Sequence, residues 1–349
     1  MLWSLPMSTI GIRKIGILGA GAWGTALAQV ARRNGRRVVL WAREAEIAQA
    51  INERHENPVF LPGIHLDAEL RATTALTDLA ICDVILLVVP AQFMRATTKA
   101  LASAFGTRRP PVVLCAKGIE DGGALMTEVV VATMPGCAQA VLSGPTFAVE
   151  VARGLPTAVT LATHDAALGA ELVQAIGAST FRPYLSADPT GAEVGGAVKN
   201  VLAIACGIVI GRKLGDNARA ALITRGLAEI VRLATALGGK PETCMGLSGL
   251  GDLTLTCNGP QSRNLSLGIA LGEGRQLADI VAERRSIAEG VASAAAVMQR
   301  ARRERVEMPI VAAVDAVLNH GGDVEAELRA LLARPFREET GAMLAETGA

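Results

Sequence analysis

Short apolar runs alternate with helix-forming segments over the first half of the chain. Between residue 13 and about residue 185 the apolar runs are rich in Val, Ile and Leu, and helical stretches such as Thr25–Asn34, Glu44–Glu53 and Met126–Thr133 separate them. Continuous apolar runs are typical of parallel strands covered on both faces, so we predict a doubly wound α/β domain with a parallel sheet. The predicted strands are Lys14–Leu18, Val38–Trp41, Val84–Val89, Val112–Ala116, Ala140–Ser143 and Thr157–Leu161.

After about residue 190 the pattern becomes helical and rich in alanine. The segments that favour helices there are Glu193–Val209, Asp216–Leu237, Ser262–Leu271, Ile287–Glu304 and Pro309–Asn319. Few strand candidates remain, so we predict a second, all-helical domain. Pro183 and Pro189 interrupt the chain near the change, which places the boundary near Ser186–Thr190. The expected organisation is an α/β domain over residues 13–188, an all-helical domain over 189–337 and a flexible tail over 338–349.

A glycine-rich turn joins the first predicted strand to the helix after it. Gly19, Gly21 and Gly24 have the Gly-x-Gly-x-x-Gly spacing. In that arrangement the first glycine permits a tight turn, the second lets a pyrophosphate approach the backbone, and the third lets the helix pack closely on the strand. The start of the helix adds free N–H groups and a positive dipole end. The motif also occurs in plain turns, but this strand and this helix favour a Rossmann-type dinucleotide-binding domain.

The residue at the end of the second predicted strand bears on the choice of dinucleotide. That strand ends on Arg43 rather than on Asp or Glu. A carboxylate there would hold the ribose 2′-hydroxyl of NAD, whereas an arginine can pair with the 2′-phosphate of NADP. We therefore predict NADP as the cofactor and leave the use of NAD open, because Glu44 follows and can serve the hydroxyl. The alternative is that Arg43 is a solvated strand-end residue.

Charge and hydropathy argue against nucleic-acid and membrane partners. The formal net charge is +1 and no long block of like charge is present. The longest apolar run, residues 201–210, is too short to cross a bilayer, so we expect no membrane insertion. A basic cluster surrounds one turn, and we interpret it as solvated surface, with a secondary role towards a cofactor phosphate left open. Its members are Arg32, Arg33, Arg36 and Arg37.

Cysteine and histidine spacing predicts no metal site. The six cysteines are scattered without a Cys-x-x-Cys pair, and the four histidines are widely separated. Reduced thiols in a cytoplasmic protein fit this pattern better than a zinc site or a disulfide framework. Met1–Pro6 lacks the basic and long apolar regions of a signal peptide, and Met7 is an alternative start.

Polar residues follow two predicted strands of the α/β domain. Lys117 comes directly after Val112–Ala116, and Gly144 and Thr146 follow Ala140–Ser143. Ligands bind beyond the carboxyl ends of strands in open sheets, so these positions favour contact with a small molecule. The alternative for Lys117 is a solvated surface lysine.

The helical half carries two further clusters. Lys199 lies among small apolar residues, where burial would lower the pKa of a lysine and suit it to exchange a proton with an alcohol oxygen. The alternative is a lysine that extends to solvent from a helix-packing seam. Asp252 follows a glycine-rich run and can orient a lysine, while Ser262, Arg263 and Asn264 open a helix. A guanidinium there fits phosphate oxygens, the alternative being an N-cap beside a surface arginine.

Taken together, these segments resemble the bacterial NAD(P)-dependent glycerol-3-phosphate dehydrogenases over about residues 13 to 335. The resemblance rests on Gly-Ala-Gly-Ala-Trp-Gly-Thr-Ala-Leu-Ala at 19–28, Asn-Pro-Val-Phe-Leu-Pro-Gly at 57–63, Ala-Lys-Gly at 116–118, Ser-Gly-Pro-Thr-Phe-Ala at 143–148, Glu-Val-Gly-Gly-Ala-Val-Lys-Asn-Val-Leu-Ala at 193–203 and Gly-Leu-Ser-Gly-Leu-Gly-Asp-Leu at 246–253. It implies a homodimeric oxidoreductase that reversibly reduces dihydroxyacetone phosphate to sn-glycerol 3-phosphate with NADP, or also NAD. The product would supply glycerophospholipid synthesis.

The resemblance also implies roles for individual residues. Lys199 would donate the proton in reduction and accept it in oxidation. The implied substrate-binding residues are Lys117, Gly144, Thr146, Lys199, Asp252, Ser262, Arg263 and Asn264. Besides the three glycines of the turn, the implied cofactor-binding residues are Ala22, Trp23, Arg43, His55, Lys117, Ala148, Arg263, Ile287 and Glu289. Ala22 stands where members of the family often have Ser, and Ile287 where they commonly have Val.

Two other functions remain to be weighed. The β-hydroxyacid dehydrogenases resemble this chain but place an Asn four residues after the catalytic Lys, whereas here position 203 is Ala and Asn200 is adjacent to Lys199. A non-catalytic dinucleotide sensor would not need Lys199, Asp252 and Arg263 together. Both alternatives are therefore disfavoured.

Overall fold

The computed structural model describes residues 11–283 and 289–335. Within these ranges eight strands form one sheet in the order β3-β2-β1-β4-β5-β6-β7-β8. The strands are β1 (Lys14–Leu18), β2 (Arg37–Trp41), β3 (Arg71–Thr73), β4 (Val84–Leu87), β5 (Val112–Leu114), β6 (Gln139–Ser143), β7 (Thr157–Ala162) and β8 (Phe181–Ser186). All six predicted strands are present, with ends that differ by up to two residues. Their apolar side chains are buried on both faces of the sheet.

The sheet differs from the prediction in one pairing. β7 runs antiparallel to β6, with Leu142 opposite Leu161, whereas the other neighbouring strands are parallel. A parallel neighbour needs a crossover to the far end of the sheet. After β6 the chain instead makes one short helix, Ala148–Arg153, and turns at Gly154 with a φ of 79°. It re-enters the sheet at the end where β6 leaves it, so the prediction of an all-parallel sheet is wrong here.

Two strands were not expected from the sequence. β3 has three residues, too few to produce an apolar run. β8 lies at the edge of the sheet and exposes Tyr184 and Leu185, so it lacks the continuous apolar pattern of a buried strand. Pro183, which suggested a domain boundary, lies inside β8, and edge strands are where a sheet tolerates proline.

Helices cover the sheet and are the other regular elements of the described chain. Those between the strands are α1 (Ala22–Arg33), α2 (Ala45–Arg54), α3 (Ala91–Phe105), α4 (Met126–Thr133), α5 (Ala148–Arg153) and α6 (Ala166–Ile176), with a 3₁₀ helix at Leu76–Ile81. Those after the sheet are α7 (Pro189–Gly211), α8 (Asp216–Ala236), α9 (Pro241–Cys244), α10 (Asp252–Asn258), α11 (Arg263–Gly272), α12 (Leu277–Ala282), α13 (Glu289–Arg303), α14 (Pro309–Asn319) and α15 (Val324–Leu332), with a π-helical turn at Leu247–Gly251. The described residues after Ser186 contain no strand, so the predicted fold class, a doubly wound sheet followed by an all-helical part, is confirmed.

Helix α7 is the core of the helical part. It begins at Pro189, and the Asp188 side chain caps it by accepting a hydrogen bond from the Gly191 amide at 2.9 Å. This helix is long and apolar enough to cross a membrane, but 83% of its most apolar window is buried within the protein. Its apolar surface is therefore covered by its neighbours α8, α10, α11 and α13. The domain limits at 188 and 337 stay predictions, and both the 338–349 tail and Met1–Pro6 lie outside the described residues.

Three arginines of the basic cluster near β2 donate hydrogen bonds to neighbouring parts of the fold. Arg32 donates to Asp67 at 3.0 Å and also pairs with Glu69. Arg33 donates to the carbonyl oxygens of Val151 and Ala152, which end α5. Likewise, Arg36 donates to the carbonyl oxygens of Gln174 and Ala175 at the end of α6. The interpretation as solvated surface is thus wrong for the partly buried Arg32 and Arg36, whereas Arg33 and Arg37 are exposed, as that interpretation expects. Arg32 lies at the far end of α1 from the glycine turn, roughly 16 Å along the helix, which argues against a role at the cofactor phosphate.

Candidate active site

The glycine turn leaves an open approach to the start of α1. Gly19 has a φ of 122°, and an added methyl group there would lie 3.1 Å from the Val88 backbone. At Gly24 a methyl group would overlap the Gly19 carbonyl oxygen, so this position requires glycine for the contact between helix and strand. Nothing lies within 4 Å of a methyl group at Gly21. α1 has no side-chain cap and no acidic residue in its first turn, which leaves its N–H groups directed at the open side.

The residues around this turn fit a dinucleotide. Asn57 is fully buried and donates to the Ala20 carbonyl oxygen and to the Thr25 hydroxyl, both at 2.9 Å, which fastens the 55–57 loop to the turn. Trp23 Nε1 and His55 Nδ1 are buried and have no hydrogen-bond partner among the described residues. Buried polar atoms without a partner are costly, so two of them beside an open phosphate-binding turn are consistent with a bound polar ligand.

Arg43 is held by its neighbour. Its guanidinium donates to Glu44 Oε1 through Nε at 2.9 Å and through Nη2 at 2.6 Å. The Arg43 side chain is 73% exposed, so the pair lies at the surface beyond the end of β2. Arg43 and Glu44, the two residues that sequence reasoning weighed for the ribose, are therefore in direct contact.

Lys199 lies in a buried polar pocket on α7. Its Nζ donates to Asp252 Oδ1 at 2.5 Å and to the Thr256 hydroxyl at 2.9 Å. Burial lowers the pKa of Lys199 to about 8, and the nearby Asp252 carboxylate opposes that shift. The expectation that burial lowers this pKa is confirmed. A lysine with that pKa is half-protonated at about pH 8 and can exchange a proton in either direction.

Asp252 joins the helical part to the end of the sheet. Its side chain is fully buried, and its second oxygen, Oδ2, accepts from Lys117 Nζ at 2.8 Å. Lys117 also donates to the Gly144 carbonyl oxygen at 2.8 Å and to the Thr146 hydroxyl at 3.1 Å. Lys117 follows β5, and Gly144 and Thr146 follow β6. Five of the predicted substrate residues thus lie in one hydrogen-bonded group.

Glycine allows α7 to approach the sheet at this point. A methyl group added at Gly196 would lie 2.9 Å from Ser143 Oγ and 3.6 Å from Lys117 Cγ. At the preceding position, Gly195, a methyl group would lie 3.1 Å from Gly249 Cα in the π-helical turn that precedes Asp252. These close contacts bring Lys199 into reach of both Lys117 and Asp252.

The start of α11 forms the other side of the group. Ser262 caps the helix by accepting from the Leu265 amide at 3.2 Å, and Arg263 is exposed in the first turn. Asn264 donates to Asn200 Oδ1 at 3.0 Å and accepts from the Gly290 amide at 3.0 Å. Asn264 is thereby fixed to the start of α13 as well as to α7.

Sequence reasoning left two residues of the group out of the predicted site. Asn200 donates to the Lys117 carbonyl oxygen at 3.3 Å and to Glu289 Oε2 at 3.5 Å, so it connects Lys117 to Glu289, a predicted cofactor residue. Thr256 accepts from Lys199 and lies four residues after Asp252 on α10. Residues four apart share one face of a helix, and that spacing is the signal that could have identified Thr256.

The remaining predicted residues lie at the edges of the group or outside the described chain. Ala22 and Trp23 open α1, and Ala148 is the first residue of α5. Ile287 lies outside the described residues. No cluster of three or more metal-ligating side chains occurs among residues 11–283 and 289–335, and all six cysteines are buried free thiols.

The chain matches two family models that together cover most of its length. Residues 14–169 match the N-terminal part of NAD-dependent glycerol-3-phosphate dehydrogenase, and residues 188–329 match its C-terminal part. The chain belongs to the NAD-dependent glycerol-3-phosphate dehydrogenase family. Members of this family use NAD or NADP, as the NAD(P)+ in the names of the relatives below states.

Relatives from several bacteria agree with this membership over nearly the whole chain. The glycerol-3-phosphate dehydrogenase [NAD(P)+] of Parvibaculum lavamentivorans is 58% identical, over 95% of this chain and 100% of its own length. That of Rhodospirillum rubrum is also 58% identical, over 95% of each chain. The crystal structure of the Coxiella burnetii glycerol-3-phosphate dehydrogenase superposes with a TM-score of 0.88 at 39% identity, covering 93% of this chain and 99% of that one.

Proposed function

We propose that the chain catalyses the reversible, NAD(P)H-dependent reduction of dihydroxyacetone phosphate to sn-glycerol 3-phosphate. The observation that carries the proposal is the bridging of Lys199 and Lys117 by the buried Asp252 carboxylate. Reduction of a ketone leaves an oxygen that needs a proton, and a buried lysine with a pKa of about 8 is suited to supply it. The names of the relatives state the same activity for those proteins.

Each residue of the group has a part in this proposal. A bound nicotinamide supplies the hydride. Lys199 gives a proton to the carbonyl oxygen in reduction and takes it from the hydroxyl in oxidation. Asp252 orients Lys199 through the 2.5 Å hydrogen bond, and Thr256 holds the same ammonium from a second side. Lys117 presents a second cation to the substrate oxygens at the ends of β5 and β6.

The phosphate end of the substrate is assigned to the start of α11. Arg263 would bind phosphate oxygens through its guanidinium, and Ser262 and Asn264 lie on either side of it. Gly144 and Thr146, which accept hydrogen bonds from Lys117, are assigned to the substrate on the side of the sheet. Binding energy gained at the phosphate can orient the reacting carbonyl against Lys199, which raises the rate and not affinity alone.

The cofactor is assigned to the crevice at the glycine turn. The residues proposed to contact it are Gly19, Gly21, Gly24, Ala22, Trp23, Arg43, His55, Lys117, Ala148, Arg263, Ile287 and Glu289. We further propose that NADPH is preferred and that NADH is also accepted. Arg43 would turn from Glu44 to the 2′-phosphate of NADP, whereas Glu44 would accept a hydrogen bond from the 2′-hydroxyl of NAD.

The cellular setting is proposed on less direct grounds. We propose a cytoplasmic homodimer whose product feeds glycerophospholipid synthesis. The free, buried thiols are those of a reducing compartment. On α15 no residue is buried and Leu332 is 77% exposed, which leaves apolar surface for a second copy. Light scattering of the purified chain measures its mass in solution and decides between monomer and dimer.

A direct assay tests the proposed reaction. Purified protein is mixed with dihydroxyacetone phosphate and NADPH, and the loss of NADPH absorbance is followed. Lys199→Ala should lose about a hundredfold or more in kcat while NADPH binding, measured by fluorescence titration, is retained. Failure of the wild-type protein to oxidise NADPH would refute the proposed reaction, and unchanged turnover in the variant would refute the role of Lys199.

A further inference from the structure

Helices α7 and α11 touch through pairs of glycines. Gly207 and Gly211 lie one turn apart on α7, and Gly268 and Gly272 have the same spacing on α11. A methyl group added at Gly207 would lie 2.7 Å from Gly268 Cα, and one at Gly268 would lie 2.9 Å from Gly207 Cα. The second pair is almost as close, because a methyl group at Gly272 would lie 3.0 Å from Gly211 Cα. Neither helix has space for a side chain at the crossing.

The added methyl groups would meet backbone rather than flexible side chains. At Gly268 the methyl group would overlap the Ile204 carbonyl oxygen, and at Gly207 it would overlap the Leu265 carbonyl oxygen. Backbone in the middle of two helices cannot rotate away as a side chain can. The axes of packed helices usually lie about 8–10 Å apart, depending on the side chains at the contact, and glycine allows the shortest of these distances. Any larger residue must therefore push α11 away from α7.

This crossing lies on the C-terminal side of both ends of the proposed substrate site. Lys199 lies two turns before Gly207 on α7, and Arg263 lies five residues before Gly268, roughly 8 Å along α11. Asn264 and Asn200 join the two helices by a 3.0 Å hydrogen bond at the level of the site. The separation of the helices thus sets how far the start of α11 lies from the Lys199 ammonium.

We propose that the Gly207–Gly268 and Gly211–Gly272 pairs are positioning residues. They set the distance between the Lys199 ammonium and the start of α11 so that it fits the length of a ketone with a phosphate ester on the carbon next to the carbonyl. The inference rests on the proposed function and deepens it. It states why that site accepts a short phosphorylated ketone: the cationic start of α11 and the proton-exchanging lysine are held at a fixed, short span. Loosening the glycine contact weakens phosphate-assisted turnover before it affects the proton transfer itself.

The test compares a phosphorylated with an unphosphorylated substrate. We would measure kcat/KM for dihydroxyacetone phosphate and for dihydroxyacetone in wild-type protein, Gly268→Ala and Gly272→Ala. A displacement of the order of an ångström should lower the value for dihydroxyacetone phosphate by about tenfold or more in Gly268→Ala, and leave that for dihydroxyacetone within about twofold. Gly272→Ala, whose clash is milder and farther from Arg263, should show a smaller change in the same direction. It replaces Gly268→Ala in the test if that variant does not fold.

Gly226→Ala is the matched control. Gly226 lies on α8 and also packs on α7, but its added methyl group would meet the Leu202 side chain, 2.8 Å from Cδ1 and Cδ2, which can move. The ratio of the two kcat/KM values should not change in this variant. An equal loss for both substrates in the α11 variants, or the same change of ratio in Gly226→Ala, would overturn the proposal. If wild-type protein failed to reduce dihydroxyacetone phosphate, the proposed function itself would fail instead.

Discussion

Lys199 and Lys117 donate to opposite oxygens of one buried carboxylate. Lys199 Nζ lies 2.5 Å from Asp252 Oδ1, and Lys117 Nζ lies 2.8 Å from Asp252 Oδ2. One carboxylate cannot neutralise two ammonium groups, so the arrangement favours a state with one proton fewer. Burial in α7 lowers the pKa of Lys199 to about 8, which makes it the lysine that gives up the proton. The group can therefore take up or release one proton at about pH 8.

The two directions of the reaction should depend oppositely on pH. Reduction needs Lys199 protonated, so its kcat should fall as pH rises through about 8, the pKa of this lysine. Oxidation needs Lys199 neutral, so its kcat should rise through the same pH. Initial rates in both directions, at saturating substrate from about pH 6 to about pH 10, measure the two midpoints. If kcat for reduction and kcat for oxidation changed in the same direction with pH, the assignment of Lys199 as the proton-exchanging group would be contradicted.

Asp252→Asn should shift the pH profiles of kcat for both directions of the reaction to lower pH. Loss of the carboxylate removes the interaction that favours the charged form of Lys199, so its pKa should fall further. Asp315→Asn is the matched control, because Asp315 is also a buried carboxylate, hydrogen-bonded to Asn319 on α14 away from the site. An unmoved profile in Asp252→Asn would show that Asp252 does not govern this proton.

Arg263→Ala should weaken the enzyme mainly towards the phosphorylated substrate. Loss of the guanidinium removes charge-assisted hydrogen bonds, so we expect KM for dihydroxyacetone phosphate to rise by about tenfold to a hundredfold. Steady-state kinetics with dihydroxyacetone phosphate and with dihydroxyacetone separates this effect from general damage. Arg275→Ala provides the control at the other end of α11, where Arg275 pairs with Glu283 at the surface. Equal use of both substrates by the wild-type protein would remove the basis for a phosphate site at α11.

Local sequence signals predicted the parts of the fold whose structure is local. The β1 strand, the glycine turn and α1 follow from residues adjacent in sequence; β1 has the predicted bounds, and α1 begins at Ala22 rather than at Thr25. The antiparallel β7 follows from the path of the chain after Ser143, which no local pattern encodes. β8 fully buries one residue, Phe181, and leaves Arg182, Tyr184 and Leu185 exposed, so it resembles a loop in sequence.

In the candidate site, too, single residues could be predicted from the local sequence, whereas the contacts between them could not. Lys117, Lys199 and Asp252 could be singled out one at a time, because a charged residue among small or apolar ones is unusual. That they share one hydrogen-bonded group depends on contacts between residues 53 and 135 positions apart. Asn200 was passed over because its role lies in its contacts with Lys117 and Glu289 rather than in its sequence neighbours. Physical context across the fold, and not residue type, identifies it.

The contact between Arg43 and Glu44 predicts how the choice of coenzyme will respond to mutation. Arg43→Ala should lower kcat/KM for NADPH by about tenfold or more and leave that for NADH within about twofold, because the 2′-phosphate loses its cation. Glu44→Gln should shift the preference towards NADPH, since Arg43 is released and the 2′-hydroxyl loses a carboxylate acceptor. Both ratios are measured at a fixed concentration of dihydroxyacetone phosphate. Arg54→Ala, which breaks an exposed pair with Glu56, is the control. Opposite shifts in these variants, or none, would refute the proposed exchange of partners.

A buried carboxylate between α7 and α4 should make stability depend on pH. Glu193 accepts from the Thr127 amide at 3.0 Å and from the Thr127 hydroxyl at 2.6 Å. Burial nevertheless raises its pKa to about 7, with the charge of Glu128 adding to the shift. A carboxyl whose pKa is higher in the folded state stabilises the fold below its unfolded pKa, and this contribution is lost as pH rises through about 7.

Glu193→Gln isolates this contribution. The amide cannot ionise, so the free energy of unfolding should fall less between about pH 5 and about pH 8 in the variant than in the wild type. The difference is the contribution of Glu193 and should be at most about 3 kcal/mol. Urea unfolding of both proteins at the two pH values gives the difference between their pH dependences, which removes the effect of all other titrating groups. Glu229→Gln is the matched comparison: burial also raises the pKa of Glu229 to about 7, and its carboxylate accepts from the Ile310 and Val311 amides of α14, so its loss should act similarly. An identical pH dependence in wild type and Glu193→Gln would mean that Glu193 stays ionised in the fold, held by Thr127 against the cost of burial.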